Sequence, residues 1–90
     1  MIKLAICDDD NISIQTAKRI VYETARGLKK QVEVDTYDNA NGIIKRMSKK
    51  ETLDILLLDI DMPNMTGLEL AEKLRNSYIS ENELIIIFLR

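Results

Sequence analysis

Ile55-Leu56-Leu57-Leu58-Asp59-Ile60-Asp61-Met62-Pro63-Asn64-Met65-Thr66-Gly67-Leu68-Glu69 decides how the rest of the chain is read. The stretch opens on a short, unbroken apolar run, Ile55 to Leu58. Such runs suit strands of a parallel sheet covered on both faces. The run ends on the carboxylates Asp59 and Asp61. Thr66-x-x-Glu69 then has capping-box spacing, so a helix begins there, with Ala71 and Leu74 on its buried face.

Outward from it the same pattern recurs. Ile2 to Cys7 is a mostly apolar run followed directly by Asp8, Asp9 and Asp10, and Leu84 to Leu89 is another apolar run. Val32-Glu33-Val34-Asp35-Thr36-Tyr37 alternates with period two, which predicts a half-exposed strand at a sheet edge. Helical spacing joins the runs. Ile14, Ala17, Val21, Thr24 and Leu28 form one stripe, with Ile20 beside it and Asp10 or Asn11 as cap. Ala40, Ile43, Ile44 and Met47 form a second, capped by Asp38 or Asn39 and closed by Lys49-Lys50, where the helix dipole favours cations. The order β-α-β-α-β-α-β predicts an α/β fold: a doubly wound parallel sheet with right-handed crossovers and helices on both faces. No repeat, low-complexity tract or linker interrupts it. The chain reaches Arg90 straight after its strongest strand signal, where a doubly wound domain normally continues. Residues 1–90 are therefore expected to be one incomplete domain.

Composition narrows the function. At 90 residues there is room for one small domain and not two. A formal charge of −2 offers no basic field for nucleic acid or an anionic membrane. No apolar run approaches the ~20 residues of a membrane span, and the N-terminus lacks a secretory signal. One cysteine excludes an internal disulfide and fits a cytoplasmic location. With no histidine in the chain, most zinc sites and every Ser-His or Cys-His pairing are excluded.

What remains is carboxylate chemistry. In open parallel sheets, ligands bind outside the carboxyl ends of the strands, at the switch in strand order. If the first and third strands are neighbours, Asp8, Asp9 and Asp59 converge there. Clustered carboxylates repel, and either retain a proton or hold a cation. Oxygen-only ligands select a hard cation, and Mg²⁺ takes one or two carboxylates, keeps waters and leaves room for a phosphoryl oxygen. The plainer reading makes these aspartates helix caps and turn formers. Asp10 suits that role as an N-cap. For Asp8, Asp9 and Asp59, acids at two matching strand ends favour the functional reading.

Ile6-Cys7-Asp8-Asp9-Asp10 together with Leu56-Leu57-Leu58-Asp59-Ile60-Asp61-Met62-Pro63-Asn64-Met65-Thr66-Gly67 resembles the receiver (CheY-like) domain of bacterial two-component response regulators. The wording from Asp59 to Ala71 is most similar to receivers that precede LytTR-type DNA-binding domains. The resemblance runs over the whole chain and covers most of a receiver. It implies a flavodoxin-like fold that here lacks the last helix, strand and helix. It also implies that Asp59 is the phosphoacceptor, taking a phosphoryl group from a histidine kinase as a carboxylate nucleophile. Mg²⁺ would be held by Asp9, by Asp8 directly or through water, by Asp59 and by the backbone carbonyl of Asp61. Pro63 and Gly67 would shape the loop before the third helix, a role that also suits a Cβ-free residue. The whole would be the N-terminal part of a transcriptional regulator, with no direct nucleic-acid binding of its own. A receiver has a Thr or Ser after its fourth strand, about where Arg90 stands, and a Lys after a fifth.

Two other readings compete. A degenerate receiver would keep the fold and act only as a protein-binding module. A phosphatase of the haloacid dehalogenase type would use Asp59 as nucleophile and Asp61 as acid, but its further acids should lie downstream, whereas Asp8-Asp9 lies upstream. Elsewhere, Cys7 reads as a buried inert thiol, Lys45-Arg46 as a solvated helix end, and Tyr22, Tyr37 and Tyr78 carry no decodable signal. Leu84–Leu89, uncharged and β-branched, would be an open edge inviting a homodimer.

Overall fold

The computed structural model describes residues 1–78 and 84–89. Arg90 and its comparison with a Thr or Ser lie outside the described residues. Four strands and three helices alternate: β1 (Ile2–Cys7), α1 (Asn11–Gly27), β2 (Val32–Tyr37), α2 (Ala40–Ser48), β3 (Ile55–Asp59), α3 (Gly67–Ser77) and β4 (Ile85–Leu89). All pairings are parallel, in the order β2-β1-β3-β4. This is the flavodoxin-like, doubly wound order. From β1 the chain crosses outward to β2, then returns past β1 to β3. The direction of winding therefore reverses between β1 and β3.

Strand parity builds the two layers, because successive side chains point to opposite faces. Leu4 and Ile6 point to one face and pack with Ile14 of α1, joined by Ala17, Val21, Val32, Val34, Ile55 and Leu57. Ala5, Cys7, Leu56 and Leu58 point to the other, against Ile43 of α2 and Leu70, Ala71 and Leu74 of α3. The mostly apolar run of β1 and the unbroken run of β3 are thus the strands covered on both sides. The alternating strand β2 is an edge, as its period-two pattern requires. At the opposite edge among the described residues, β4 leaves Ile85, Ile87 and Phe88 exposed, while Leu84 just before it is buried.

Each helix starts where a side chain satisfies its free amide groups. Asp10 caps α1, accepting from Ser13 N (3.1 Å) and Ser13 Oγ (2.6 Å); the Ser13 hydroxyl and amide bonds hold its carboxyl below the usual range. Asn39 caps α2 through Gly42 N. Thr66 and Glu69 form the reciprocal capping box of α3.

One reading of the sequence is corrected. Lys45 is exposed, but Arg46 is only 7% exposed and is no solvated helix end. Its Nη1 donates to Asp35 Oδ2 (2.6 Å) and to the Tyr37 hydroxyl (3.1 Å), and its Nη2 donates to Thr52 O (2.6 Å). Burial alone would lower the guanidinium's pKa; the Tyr37 and Asp35 hydrogen bonds outweigh it and raise the pKa further. Asp35 belongs to the polar alternation of β2, so the feature that marks the strand as an edge also supplies the counter-charge.

Neighbouring leucines of α3 test this layering. Leu70 is fully buried and Leu68 is 57% exposed. Leu70→Ala is expected to cost about 2–5 kcal/mol and Leu68→Ala less than about 0.5 kcal/mol, both read as shifts in urea unfolding.

Candidate metal centre

In register, Cys7 of β1 lies opposite Leu58 of β3. The next residue on each strand is an aspartate, so Asp8 and Asp59 emerge side by side at the switch point. One carboxylate oxygen from each of Asp8, Asp9 and Asp59 lies within 4.8 Å of the other two. Asp8 (6% exposed) and Asp59 (8%) form the buried part of the cluster, and Asp9 is exposed at its open side.

Local hydrogen bonds set these acids in place. Asp8 Oδ1 accepts the amide of Asp10 at 2.9 Å, and Asp59 Oδ1 accepts the amide of Asp61 at 3.2 Å. Each acid therefore makes an Asx turn with one oxygen, and both still take part in the cluster. The turn-forming role therefore does not take these two acids out of the cluster. The Asp8 amide donates to Tyr37 O at 3.0 Å, extending the β1–β2 ladder into the site. On the far side the Ile60 amide donates to Leu89 O at 3.1 Å, tying the turn after Asp59 to the end of β4.

The loop from Asp59 to α3 is tightly drawn. The Met65 amide reaches Pro63 O at 2.8 Å across Asn64, whose φ of 72° is left-handed, a conformation Asn tolerates better than most residues. Gly67 has no positive φ; the sequence points to a glycine here, but for a different reason than turn freedom. Its amide donates to Ile60 O at 2.8 Å, and a Cβ would collide with Asp59 O and stand 2.9 Å from Ile60 Cα. The missing side chain lets the N-terminus of α3 rest directly on the backbone that carries Asp59.

Electrostatics at the cleft are dominated by the acids. Burial pushes the Asp59 carboxyl up, and the charges of Asp8 and Asp9 push it further, against the lowering effect of the Asp61 amide. Beneath the acids, burial and then Asp8 and Asp59 push the Cys7 thiol up to about 12. Its Sγ lies 3.5 Å from Asn39 O and 3.7 Å from Met62 Sδ. Such a thiol is inert at neutral pH.

The donor set is three carboxylates with neither imidazole nor accessible thiolate, which matches a hard divalent cation. Of the residues singled out from sequence, Asp8, Asp9 and Asp59 come together. Asp61 is exposed and its side chain is outside the trio, while its amide steadies Asp59. The carboxylates beside Asp59 are therefore the upstream pair, not the Asp61 acid of a phosphatase reading. Tyr37 and Leu89, which act through backbone carbonyls, carried no side-chain signal that could have shown them.

Two measurements probe the site. A folded-state carboxyl held above its unfolded value keeps a proton that the unfolded chain has released. Its contribution to stability is then lost as pH rises from the ordinary carboxylate range through the raised value. In metal-free protein, the stability difference between Asp59→Asn and wild type should therefore grow in favour of the variant across that window, followed by urea unfolding at stepped pH. Gly67→Ala should cost about 1–3 kcal/mol and shift the amide resonances of Ile60 and Asp61.

Comparison with known proteins agrees with this geometry. Residues 4–89 match the family model of the response regulator receiver domain. The chain is 36% identical over 69 residues to the CAI-1 autoinducer sensor kinase/phosphatase CqsS of Vibrio cholerae serotype O1, covering 77% of this chain and 9% of that protein. The CheY-like response regulator receiver domain protein of Methanospirillum hungatei JF-1 superposes with a TM-score of 0.72 at 25% identity, over 96% of this chain and 62% of that one. A response regulator receiver protein of Pseudomonas putida shares the fold at a TM-score of 0.72 and 18% identity, over 97% of this chain and 67% of that one. The chain thus spans less than two thirds of the sensor kinase and of the Methanospirillum protein.

Proposed function

The chain belongs to the response regulator receiver family, and from that premise we propose that Asp59 accepts a phosphoryl group from a histidine kinase, with Mg²⁺ held by Asp8, Asp9, Asp59 and the backbone carbonyl of Asp61. Receivers are signalling domains, and phosphorylation makes this one a switch rather than a turnover enzyme. The observation that carries the reading is the convergence of three acids from two strand ends at the switch point. A cleft of this charge would hold a divalent cation, which would supply charge neutralisation for a phosphoryl group.

An oxygen of Asp59 forms the new P–O bond while the bond from phosphorus to the donor imidazole nitrogen breaks, and the electron pair leaves with the imidazole. Asp59 must be ionised to attack. Asp8 and Asp9 would hold a divalent ion beside it, and the Asp61 amide bond to Asp59 Oδ1 leaves the other oxygen for phosphorus. Bound Mg²⁺ supplies neutralisation of the phosphoryl and carboxylate oxygens. The burial that raises Asp59 has the further effect of keeping water from the acyl phosphate.

The wording from Asp59 to Ala71 supports a place in a longer transcriptional regulator. No described helix is long and apolar enough to cross a membrane, and a cytoplasmic site of action follows from the proposed kinase partner. Incubation with acetyl phosphate and Mg²⁺ should give one phosphoryl adduct by intact mass, absent in Asp59→Asn and after chelation. A wild-type protein that binds Mg²⁺ yet takes no phosphate would instead be a binding module. Mg²⁺ at ~100 times its Kd should stabilise the wild type by ~2.7 kcal/mol, and Asp9→Asn by markedly less.

The position of β4 at the sheet edge among the described residues supports a second, independent proposal from the sequence, for residues 1–90 as they stand: homodimerisation through Leu84–Leu89. Ile85, Ile87 and Phe88 are exposed on an uncharged strand, and two such edges related by a two-fold axis pair antiparallel. Sedimentation should show concentration-dependent association that Ile87→Lys suppresses; a monomer at all concentrations overturns it.

A further inference from the structure

We infer that Arg46 is a positioning residue for the acid cleft: through Tyr37 it sets the carbonyl to which the Asp8 backbone is tied. In its consequence for cation binding the inference rests on the Mg²⁺ reading above; in its consequence for Asp8 it does not.

Tyr37 is held at both ends. Its carbonyl accepts the Asp8 amide at 3.0 Å. Its hydroxyl accepts from Arg46 Nη1 at 3.1 Å, and its ring lies so close over Gly42 of α2 that a Cβ there would stand 2.5 Å from ring Cδ1. The same guanidinium grips Asp35, two residues earlier on β2, and Thr52 O in the segment leading to β3. One rigid fork thus joins the outer strand, α2 and the approach to β3.

The topology makes this restraint necessary. Among the described residues β2 is the edge strand, with β1 as its sole neighbour. A central strand end is fixed from both sides, but among the described residues the end of β2 has no strand beyond it. Arg46 supplies the missing outer restraint. Its burial is not a cheap way to fill space: Nε is buried without a partner among the described residues, and a buried unsatisfied donor costs stability. Asp35 is half exposed and could stay hydrated without the arginine. A planar fork, unlike a point charge, fixes both the position and the orientation of what it grips.

The test uses the whole chain, with amide exchange and Mg²⁺ titration followed residue by residue in NMR spectra. Arg46→Met should speed exchange of the Asp8 amide while leaving Leu57, in central β3, protected. It should weaken Mg²⁺ binding by roughly 3–10-fold, less than the ~10–100-fold that follows loss of a direct partner of a ligand. Arg46→Lys should recover part of both losses. Val21→Ala, which loosens the opposite layer, should lower global stability and leave Mg²⁺ affinity unchanged. If Arg46→Met does not fold, Tyr37→Phe, which removes only the hydroxyl, decides on the same readouts. Wild-type Mg²⁺ affinity and wild-type Asp8 exchange in a folded Arg46→Met or Tyr37→Phe protein would overturn the inference. A wild-type titration without saturation would sink the Mg²⁺ reading instead, and Asp8 exchange alone would then decide the role of Arg46.

Discussion

Parallel pairing of β1 with β3, Cys7 opposite Leu58, puts like charges where they cannot escape each other. Asp8 and Asp59 are distant in sequence and would not meet in an unfolded chain. The apolar pairing that drives the strands together, with Ala5, Ile6, Cys7, Leu56 and Leu58 fully buried, is favourable enough to carry that repulsion. Everything at the site follows from this constraint. Burial raises Asp59, the neighbouring acids raise it further, and the charge of the cleft selects what can enter it.

The fold was legible because its strongest signals are periodic and local. The mostly apolar Ile2–Cys7 and the unbroken run Ile55–Leu58 suit strands covered on both faces, and both are inner strands. The alternation of Val32–Tyr37 marked the edge for the same reason in reverse. Caps were readable too, since Asp10, Asn39 and Thr66 act on amides within three residues. The acid cluster was legible one step later, by combining two local facts with the rule that ligands gather at the carboxyl ends of parallel strands.

What escaped the sequence depends on distances between backbones. Arg46 has the same chemistry as its exposed neighbours in the chain, and its burial follows from Asp35 and Tyr37 lying one strand away. Gly67 was recognisable as a glycine with a purpose, but the purpose is contact with Asp59 O, not torsional freedom. The torsional freedom is used at Asn64 instead. Neither distinction is written in composition or spacing, because both concern how closely α3 rests on the end of β3.

The supports of Asp8 and Asp59 differ in kind, and this shapes how the cleft can respond to an occupant. On the β2 side, Asp8 hangs from Tyr37, which side chains of α2 and β2 hold from outside. On the β3 side, Asp59 is pinned by backbone alone: Gly67 packs against its carbonyl, Ile60 bonds Leu89 O, and Asp61 bonds its carboxylate. The Asp59 support is thus backbone packing, and the Asp8 support runs through the Tyr37 side chain to Arg46. The Ile60 amide bond to Leu89 O joins the turn after Asp59 to the end of β4. Among the described residues that end of β4 lies at the opposite edge of the sheet from the arginine fork, so the two acids are supported from the two outer strands.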